Sequence, residues 1–319
     1  MKILFVTSNR VGDAILSTGL LGHLLEQYPA ARVTVACGPS AESLFRPCTG
    51  VEQIIALQKK RYAGHWIRLW AHSVATFWNI VVDLRASALA WALPHSRHFI
   101  YRPTDEPLHR VESLGRLFGL GEPPSPQVWL HEKHRDHAKE LIPDGPVVAL
   151  GPTANWGGKQ WPSTSFLELA ARLTGSQGPL TGARVAIFGA EGERGMVGPL
   201  LSGASQHQTI DLIGKTDLPL AAACLGRCRL FVGNDSGLMH LAAAAGVPTL
   251  GLFGPSPEQH YRPWGRHTGF VRTPESFEQI VQANDYDYRS QQSRMTSLSV
   301  ETVFSAAEDL LARSNEGVT

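Results

Sequence analysis

Apolar positions recur along this chain in two alternating rhythms: short unbroken runs, and longer stretches with helical spacing. Runs at 3–7, 32–37, 53–56, 79–84 and 98–101 read as buried strands. Between them, 14–28 carries apolar residues at 15, 16, 20, 21, 24 and 25, the stripe of an amphipathic helix. Shorter helices are expected at 41–45 and 108–118. The same alternation resumes downstream, with strands at 147–150, 184–188, 209–212, 230–232 and 247–253. Helices are expected there at 165–174, 193–201, 218–226 and 238–245, and a final amphipathic helix at 300–312. Strands alternating with helices predict parallel sheets covered on both faces. Two Pro/Gly-rich stretches punctuate the pattern, one at 120–126 and one at Ile142-Pro143-Asp144-Gly145-Pro146. The second is taken as the boundary, giving domains 1–143 and 144–319, each a doubly wound, Rossmann-like α/β unit, with a cleft between them.

Size and charge narrow the class. A chain of 319 residues can form two cores of ordinary size. A net charge of +1 excludes bulk electrostatic capture of nucleic acid as a partner. The opening apolar run stops at Thr7, and Arg10 and Asp13 follow, so it reads as a first strand and not as a signal peptide. No apolar run approaches the roughly 18 residues that span a bilayer. Cys37, Cys48, Cys224 and Cys228 show neither zinc nor disulfide spacing; they read as core thiols in a reducing cytoplasm. One segment stands apart in composition. Lys59, Lys60, Arg61, Tyr62, His65, Trp66, Arg68 and Trp70 mix cations with aromatics. It could be a solvated helix end, a grip on an anionic acceptor, or a peripheral contact with an anionic membrane surface. Arg85, just past a strand end, is grouped with it.

The densest chemistry lies between Gly233 and Gly265. A strand ends in Gly233-Asn234-Asp235-Ser236-Gly237, an alanine-rich helix follows, and a second buried strand leads to Phe253-Gly254-Pro255. Free N–H groups and the positive dipole end make such a helix start an anion site at the carboxyl edge of a sheet. A second loop, 151–162, is Gly-rich and carries Asn155 and Lys159, a cation suited to a diphosphate. Most loop lysines are simply solvated, and a lone helical histidine such as His240 is usually structural. Glu191 and Glu193 follow another strand, where a carboxylate can bond ribose hydroxyls; both could equally be first-turn helix acids. Lys215 and Thr216 lie in a further turn. Asp13, at the first strand-to-helix turn, has the look of an N-terminal carboxylate complementing the helix dipole.

These segments together closely resemble glycosyltransferase family 9, the heptosyltransferases. The family's D-(S/T)-G-x-x-H-L-x-A-A motif is matched by Asp235-Ser236-Gly237, His240-Leu241 and Ala243-Ala244. Gly246, Pro248 and Phe253-Gly254-Pro255 keep register with the strand and turn that follow. Lys159-Gln160-Trp161-Pro162 matches K-(R/H)-W-P. The N-terminal pattern is matched through Gly12, Asp13, Leu16, Thr18 and Leu20-Leu21, with Gly19 standing where the family usually has proline. The resemblance implies a GT-B fold, an acceptor site in the first domain, a nucleotide-sugar site in the second, and a last helix that often packs back on the first. It implies Asp13 as catalytic base and Asn155, Lys159, Glu193, Thr216, Asp235, Ser236, Gly237 and His240 around the donor. It further implies an inverting, metal-independent transfer of heptose from ADP-heptose, a substrate and not a cofactor, to a lipopolysaccharide inner-core acceptor. Lys59, Lys60, Arg61 and Arg85 are the acceptor candidates. A cytoplasmic monomer with a peripheral contact at the inner membrane is expected.

Other readings are weaker. The 55–130 region matches the family only loosely. Asp285-Tyr286-Asp287 imitates a metal-binding D-x-D, and His131, His134 and His137 lack the H-E-x-x-H spacing, so a solvated helix is expected there. Asn234 stands where a nucleophile elbow needs glycine. No G-x-G-x-x-G follows the first strand, and 151–162 is not a Walker loop. A nucleotide-sugar 2-epimerase and a non-catalytic nucleotide-sugar-binding protein remain the alternatives on the same fold.

Overall fold

The computed structural model describes residues 1–59, 61–103, 106–203 and 209–316. The chain forms two compact units, Met1–His131 and Glu132–Thr319. In the first, β1 (Lys2–Val6), β2 (Arg32–Cys37), β3 (Val51–Ala56), β4 (Trp78–Asp83) and β5 (His95–Ile100) form one sheet in the order β3-β2-β1-β4-β5. Every pairing is parallel. Ile3 through Val6 are wholly buried, as a central parallel strand with both faces covered requires. The helix expected at 14–28 is broken in two, Val11–Leu16 and Thr18–Gln27. The cause lies at the junction. Ser17 Oγ and Thr18 Oγ1 donate at 2.7 Å to the carbonyls of Ala14 and Ile15, and Ser17 Oγ also meets Thr7 Oγ1 at 2.7 Å. Such back-bonding competes with the helix ladder.

The Pro/Gly stretch near 120–126 is docked, not loose. Gln127 N donates to Thr18 Oγ1 at 2.9 Å, and a Cβ added at Gly19 would lie 2.2 Å from Pro124 O. The departure from the family pattern at Gly19 therefore has a steric reason, since the backbone of 124–125 occupies the space a side chain would need. Gly19→Pro is expected to lower the thermal midpoint by the equivalent of about 2–3 kcal/mol, although proline is welcome in a first helical turn. An unchanged or raised midpoint in a melting curve would contradict the close contact.

In the second unit, β6 (Val147–Gly151), β7 (Arg184–Ile187), β8 (Thr209–Asp211), β9 (Leu230–Asn234), β10 (Thr249–Phe253) and β11 (Thr268–Arg272) form a parallel sheet in the order β11-β10-β9-β6-β7-β8. Its core joins Val148, Leu150, Phe166, Ile187, Val232 and Leu252 to Val303, Ala307, Leu310 and Leu311 of the last helix, Val300–Glu316. That i, i+4, i+7, i+8 stripe is the apolar face of the helix, and it is buried in the core of its own unit. The division between units also falls ahead of the 143/144 boundary. Helix Glu132–Leu141 packs on helix Leu218–Leu225, and Arg227 donates to Ile142 O at 2.9 Å and to Asp144 Oδ1 at 2.6 Å. Those bonds draw the charged, histidine-bearing segment into the second unit as a helix. All four cysteines are buried, and burial pushes each thiol up to about 12. None is poised for thiolate chemistry.

Candidate functional site

In the second sheet the chain runs outward from β6 through β7 to β8, then returns to the other side of β6 for β9, β10 and β11. The crevice at the carboxyl ends of β6 and β9 is therefore a topological switch point, where open α/β sheets bind ligands. Asn234 ends β9 with no exposed surface. Its Oδ1 accepts from Trp161 N at 3.0 Å and its Nδ2 donates to Pro152 O at 2.8 Å. One buried amide thus pins both ends of the loop after β6. Within that loop Lys159 reaches across the switch point, its Nζ 2.5 Å from Asp235 Oδ2, with side-chain exposures of 24% and 7%. Asp235 N donates to Leu252 O at 3.1 Å, tying the turn to β10. The Asp235 carboxylate is thus engaged by the lysine.

Helix Gly237–Ala244 begins at this pair. Ser236 is its N-cap residue in extended conformation, yet its side chain caps nothing. The Ser236 hydroxyl is buried and has no partner among the described residues. The first-turn N–H groups of the helix have no carbonyl to bond within it. A cation, a helix start and an unengaged hydroxyl are thus gathered in one place. His240 lies buried in the next turn of the helix.

The neighbouring turns are chained to this one. Glu193 Oε2 accepts from Thr153 Oγ1 and from Ala190 N, both at 2.8 Å, joining the loops after β6 and β7. Gly214 N donates to Gly189 O at 2.9 Å, adding the loop after β8. Gly214 is left-handed (φ +72°), and a Cβ there would lie 1.8 Å from Glu191 Oε2. The two glutamates therefore differ. Glu193 is engaged as a cap, while Glu191 is exposed and lies against the turn that carries Lys215 and Thr216. Lys215 Nζ stands 3.7 Å from Asp211, which also pairs with Arg194 at 2.9 Å. Asn155 is exposed on its loop.

A further segment, 285–295, straps this loop from outside. Trp156 Nε1 donates to Ser290 O (2.7 Å), Gly157 N to Gln291 Oε1 (3.0 Å), Ser293 Oγ to Gln160 O (2.6 Å) and Arg294 N to Gly158 O (3.0 Å). The D-x-D imitation dissolves here. Asp285 pairs with Arg294 at 2.6 Å, and Asp287 Oδ1 accepts from Arg289 N at 2.8 Å.

In the first unit Asp13 sits in the first turn of Val11–Leu16, partly exposed, with Ser8 Oγ donating to its Oδ2 at 3.3 Å. At the end of β4, Asp83 is wholly buried. Burial raises its carboxyl above the usual range, against the pull of hydrogen bonds from Ser87 Oγ (2.6 Å), Arg85 N (2.9 Å) and Ser87 N (2.8 Å). Those bonds set the turn that presents Arg85, whose guanidinium lies 5.4 Å over Trp66 and whose buried Nη1 lacks a partner among the described residues. Tyr62, Ala63 and Ala86 take positive φ. Non-glycine residues so strained cluster at functional loops, and these three follow β3 and β4. Lys59 is exposed; Lys60 lies outside the described residues, and of Arg61 only the backbone is described.

The profile of glycosyltransferase family 9 (heptosyltransferase) matches residues 89–286, well over half of the chain. The chain belongs to glycosyltransferase family 9. Among relatives of this family 9 chain, lipopolysaccharide heptosyltransferase 2 of Salmonella typhimurium is 24% identical over 320 aligned residues, covering 85% of this chain and 88% of the relative. A solved family 9 glycosyl transferase from Veillonella parvula superposes with a TM-score of 0.77 at 23% identity, covering 98% of this chain and 97% of its own. The E. coli ADP-heptose lps heptosyltransferase II structure gives 0.75 at 21%, covering 99% and 100%. These likenesses show the fold, two doubly wound domains of the GT-B class, and the protein is a glycosyltransferase. Family membership sets aside both the epimerase and the non-catalytic alternatives. Within the family 9 motif, the residue that sequence reasoning undervalued is Asn234. It was weighed only as a failed nucleophile elbow, yet it is the amide that holds the lysine loop to β9.

Proposed function

We propose that this glycosyltransferase transfers heptose from ADP-heptose to a sugar hydroxyl of a lipopolysaccharide inner-core acceptor, with inversion at the anomeric carbon. The Lys159–Asp235 pair at the start of helix Gly237–Ala244, beside the unengaged Ser236 hydroxyl, carries this reading. A diphosphate seated there meets the lysine charge, the first-turn N–H groups of Gly237 and its neighbours, and the positive end of the helix dipole. His240 stands in the next turn as a further phosphate contact. As the acceptor hydroxyl attacks, its proton passes to the Asp13 carboxylate, the new glycosidic bond forms, and the bond to ADP breaks. The leaving diphosphate carries the charge that Lys159 and the helix start stabilise. With those positive groups in place, we assign no divalent ion and no cofactor to the step.

Thr216, with Glu191 against its turn, borders the base; Glu193 acts on the ribose side by shaping the Thr153 loop; Asn155 reaches the donor from its exposed position. Lys59, Arg61 and Arg85, together with Lys60, receive an anionic acceptor. We assign a monomer acting at the cytoplasmic face of the inner membrane. Support for the membrane part is compositional, the mix of cations and aromatics between Lys59 and Trp70; among the described residues no helix is long and apolar enough to cross a membrane.

Calorimetric titration with ADP and with UDP, in the presence of a chelator, tests the donor assignment. ADP is expected to bind at least about tenfold more tightly, a difference of about 1.4 kcal/mol. Preference for UDP, or binding that needs a divalent ion, would remove the ADP-sugar reading.

A further inference from the structure

Among the described residues nine large apolar side chains are exposed. Five of them, Tyr62, Ile67, Trp70, Phe77 and Trp91, fall between positions 62 and 91 of the first unit. Three of them, Ile67, Trp70 and Trp91, are brought together by one helix and the turn bonded to it. On helix Gly64–Ser73, His65, Leu69 and Ser73 are buried, while Ile67, Trp70 and Ala71 form a second stripe at i, i+3, i+4 that faces outward. A helix covered on one side only carries polar residues outward; this one carries Ile67, Trp70 and Ala71 there as well, beside Arg68 and His72. Trp70 Nε1 donates to Ala92 O at 3.1 Å, which sets the 88–92 turn, and with it Trp91, against that outer stripe. Trp91 stacks edge-on with His98 at 4.6 Å. Trp78 N donates to Pro94 O at 3.0 Å, which ties the backbone next to the exposed Phe77 to the segment after the 88–92 turn.

The charge around this patch has one sign. Between 53 and 104 the chain has seven lysines and arginines and a single carboxylate, Asp83. That carboxylate is wholly buried and bonded to its own turn. Lys59, Arg68, Arg97 and Arg102 are exposed. With the whole chain at only +1, the remainder of the protein is net negative. The positive charge is therefore concentrated where the exposed aromatics are.

We infer that this face, helix Gly64–Ser73 with the 88–92 turn, docks on a bilayer surface carrying anionic headgroups. The inference rests on the acceptor being a membrane glycolipid. Aromatic rings favour the boundary between headgroups and acyl chains. A ring such as Trp70, whose N–H is already bonded within the protein, enters an apolar layer without leaving a donor unpaired. The surrounding cations are drawn to anionic lipid and fall silent at high salt. Ile67 and Trp91, at 65% and 64% exposure, are the side chains expected to enter furthest.

The test is co-sedimentation of the full chain with phosphatidylcholine vesicles, with and without phosphatidylglycerol, and with no glycolipid present. Wild type should partition at least about tenfold more strongly to the vesicles containing phosphatidylglycerol, and lose that preference in high salt. The double variant Ile67→Asp with Trp91→Asp should bind them about tenfold more weakly, while Tyr288→Asp, which alters an exposed aromatic of the second unit, should not. Thermal melting and ADP titration of the double variant confirm that it is folded, because both sites are open to solvent and belong to no binding machinery proposed above. Equal partitioning of wild type and the double variant would overturn the docking face. So would absence of binding by wild type, or a dimer in sedimentation velocity that the double variant dissolves, since a second copy would then cover the patch. Each of these can occur with ADP binding intact, so failure here is separable from failure of the donor assignment.

Discussion

Replacing Asp13 by asparagine is expected to lower the rate of sugar transfer by about 1,000-fold, within the range of a lost general base, with ADP affinity unchanged. The structure makes this a sharp test because Asp13 has little else to do. Its helix Val11–Leu16 spans six residues and is entered at Arg10 without a side-chain cap. Among the described residues the single side-chain bond to Asp13 comes from Ser8, at 3.3 Å and to one oxygen only. A carboxylate that merely complements the helix dipole contributes about 0.3–1 kcal/mol. Loss of that contribution would shift a melting curve slightly and leave turnover nearly intact. Asparagine keeps the shape and an acceptor oxygen but cannot take a proton, so it separates the two roles. If the variant retains more than a tenth of the wild-type rate in a saturating assay, some other group receives the proton and Asp13 returns to being a helix-terminal acid.

The same contrast explains which features could be read from the chain and which could not. Strands β1 and β9 were legible because Ile3–Val6 and Leu230–Val232 are continuous apolar runs of strand length, the pattern of a parallel strand covered on both faces. Strand β11, Thr-Gly-Phe-Val-Arg, escaped notice because an edge strand is half exposed, and its pattern is neither continuous nor alternating. Helix Gly64–Ser73 was seen only as a basic, aromatic stretch; apolar side chains on both its faces erase the one-sided periodicity by which helices are recognised. Local motif spacing was enough to nominate Lys159 and Asp235. Their pairing was not, because it joins positions 76 apart, and the strap at 285–295 reaches its loop across 134. Nor could spacing separate Glu191 from Glu193. That distinction is made by Thr153, which engages one, and by the left-handed Gly214 turn, which adjoins the other.

The pairing has a consequence of its own for Lys159→Ala. Two losses are expected: ADP affinity about 100-fold weaker, equivalent to about 3 kcal/mol, and a second unit less stable by about 2–3 kcal/mol. The stability cost follows from Asp235, only 7% exposed, being left without its cation. Breaking a buried pair from one side strands the remaining charge, and the partial exposure of Lys159 keeps the figure at the lower end. Asp235→Ala is expected to be gentler, because the freed ammonium, on a long stem and 24% exposed, can turn toward water. The two variants therefore predict a third. Removing both side chains together should restore most of the stability lost in Lys159→Ala, since no charge is left buried, yet should not restore ADP binding, since the cation that meets the diphosphate is still gone. Melting curves and ADP titrations on wild type and these three variants form a double-mutant cycle. Recovery of ADP affinity in the double variant would mean that Lys159 acts only as a brace for Asp235, and that the diphosphate is held by the helix start alone.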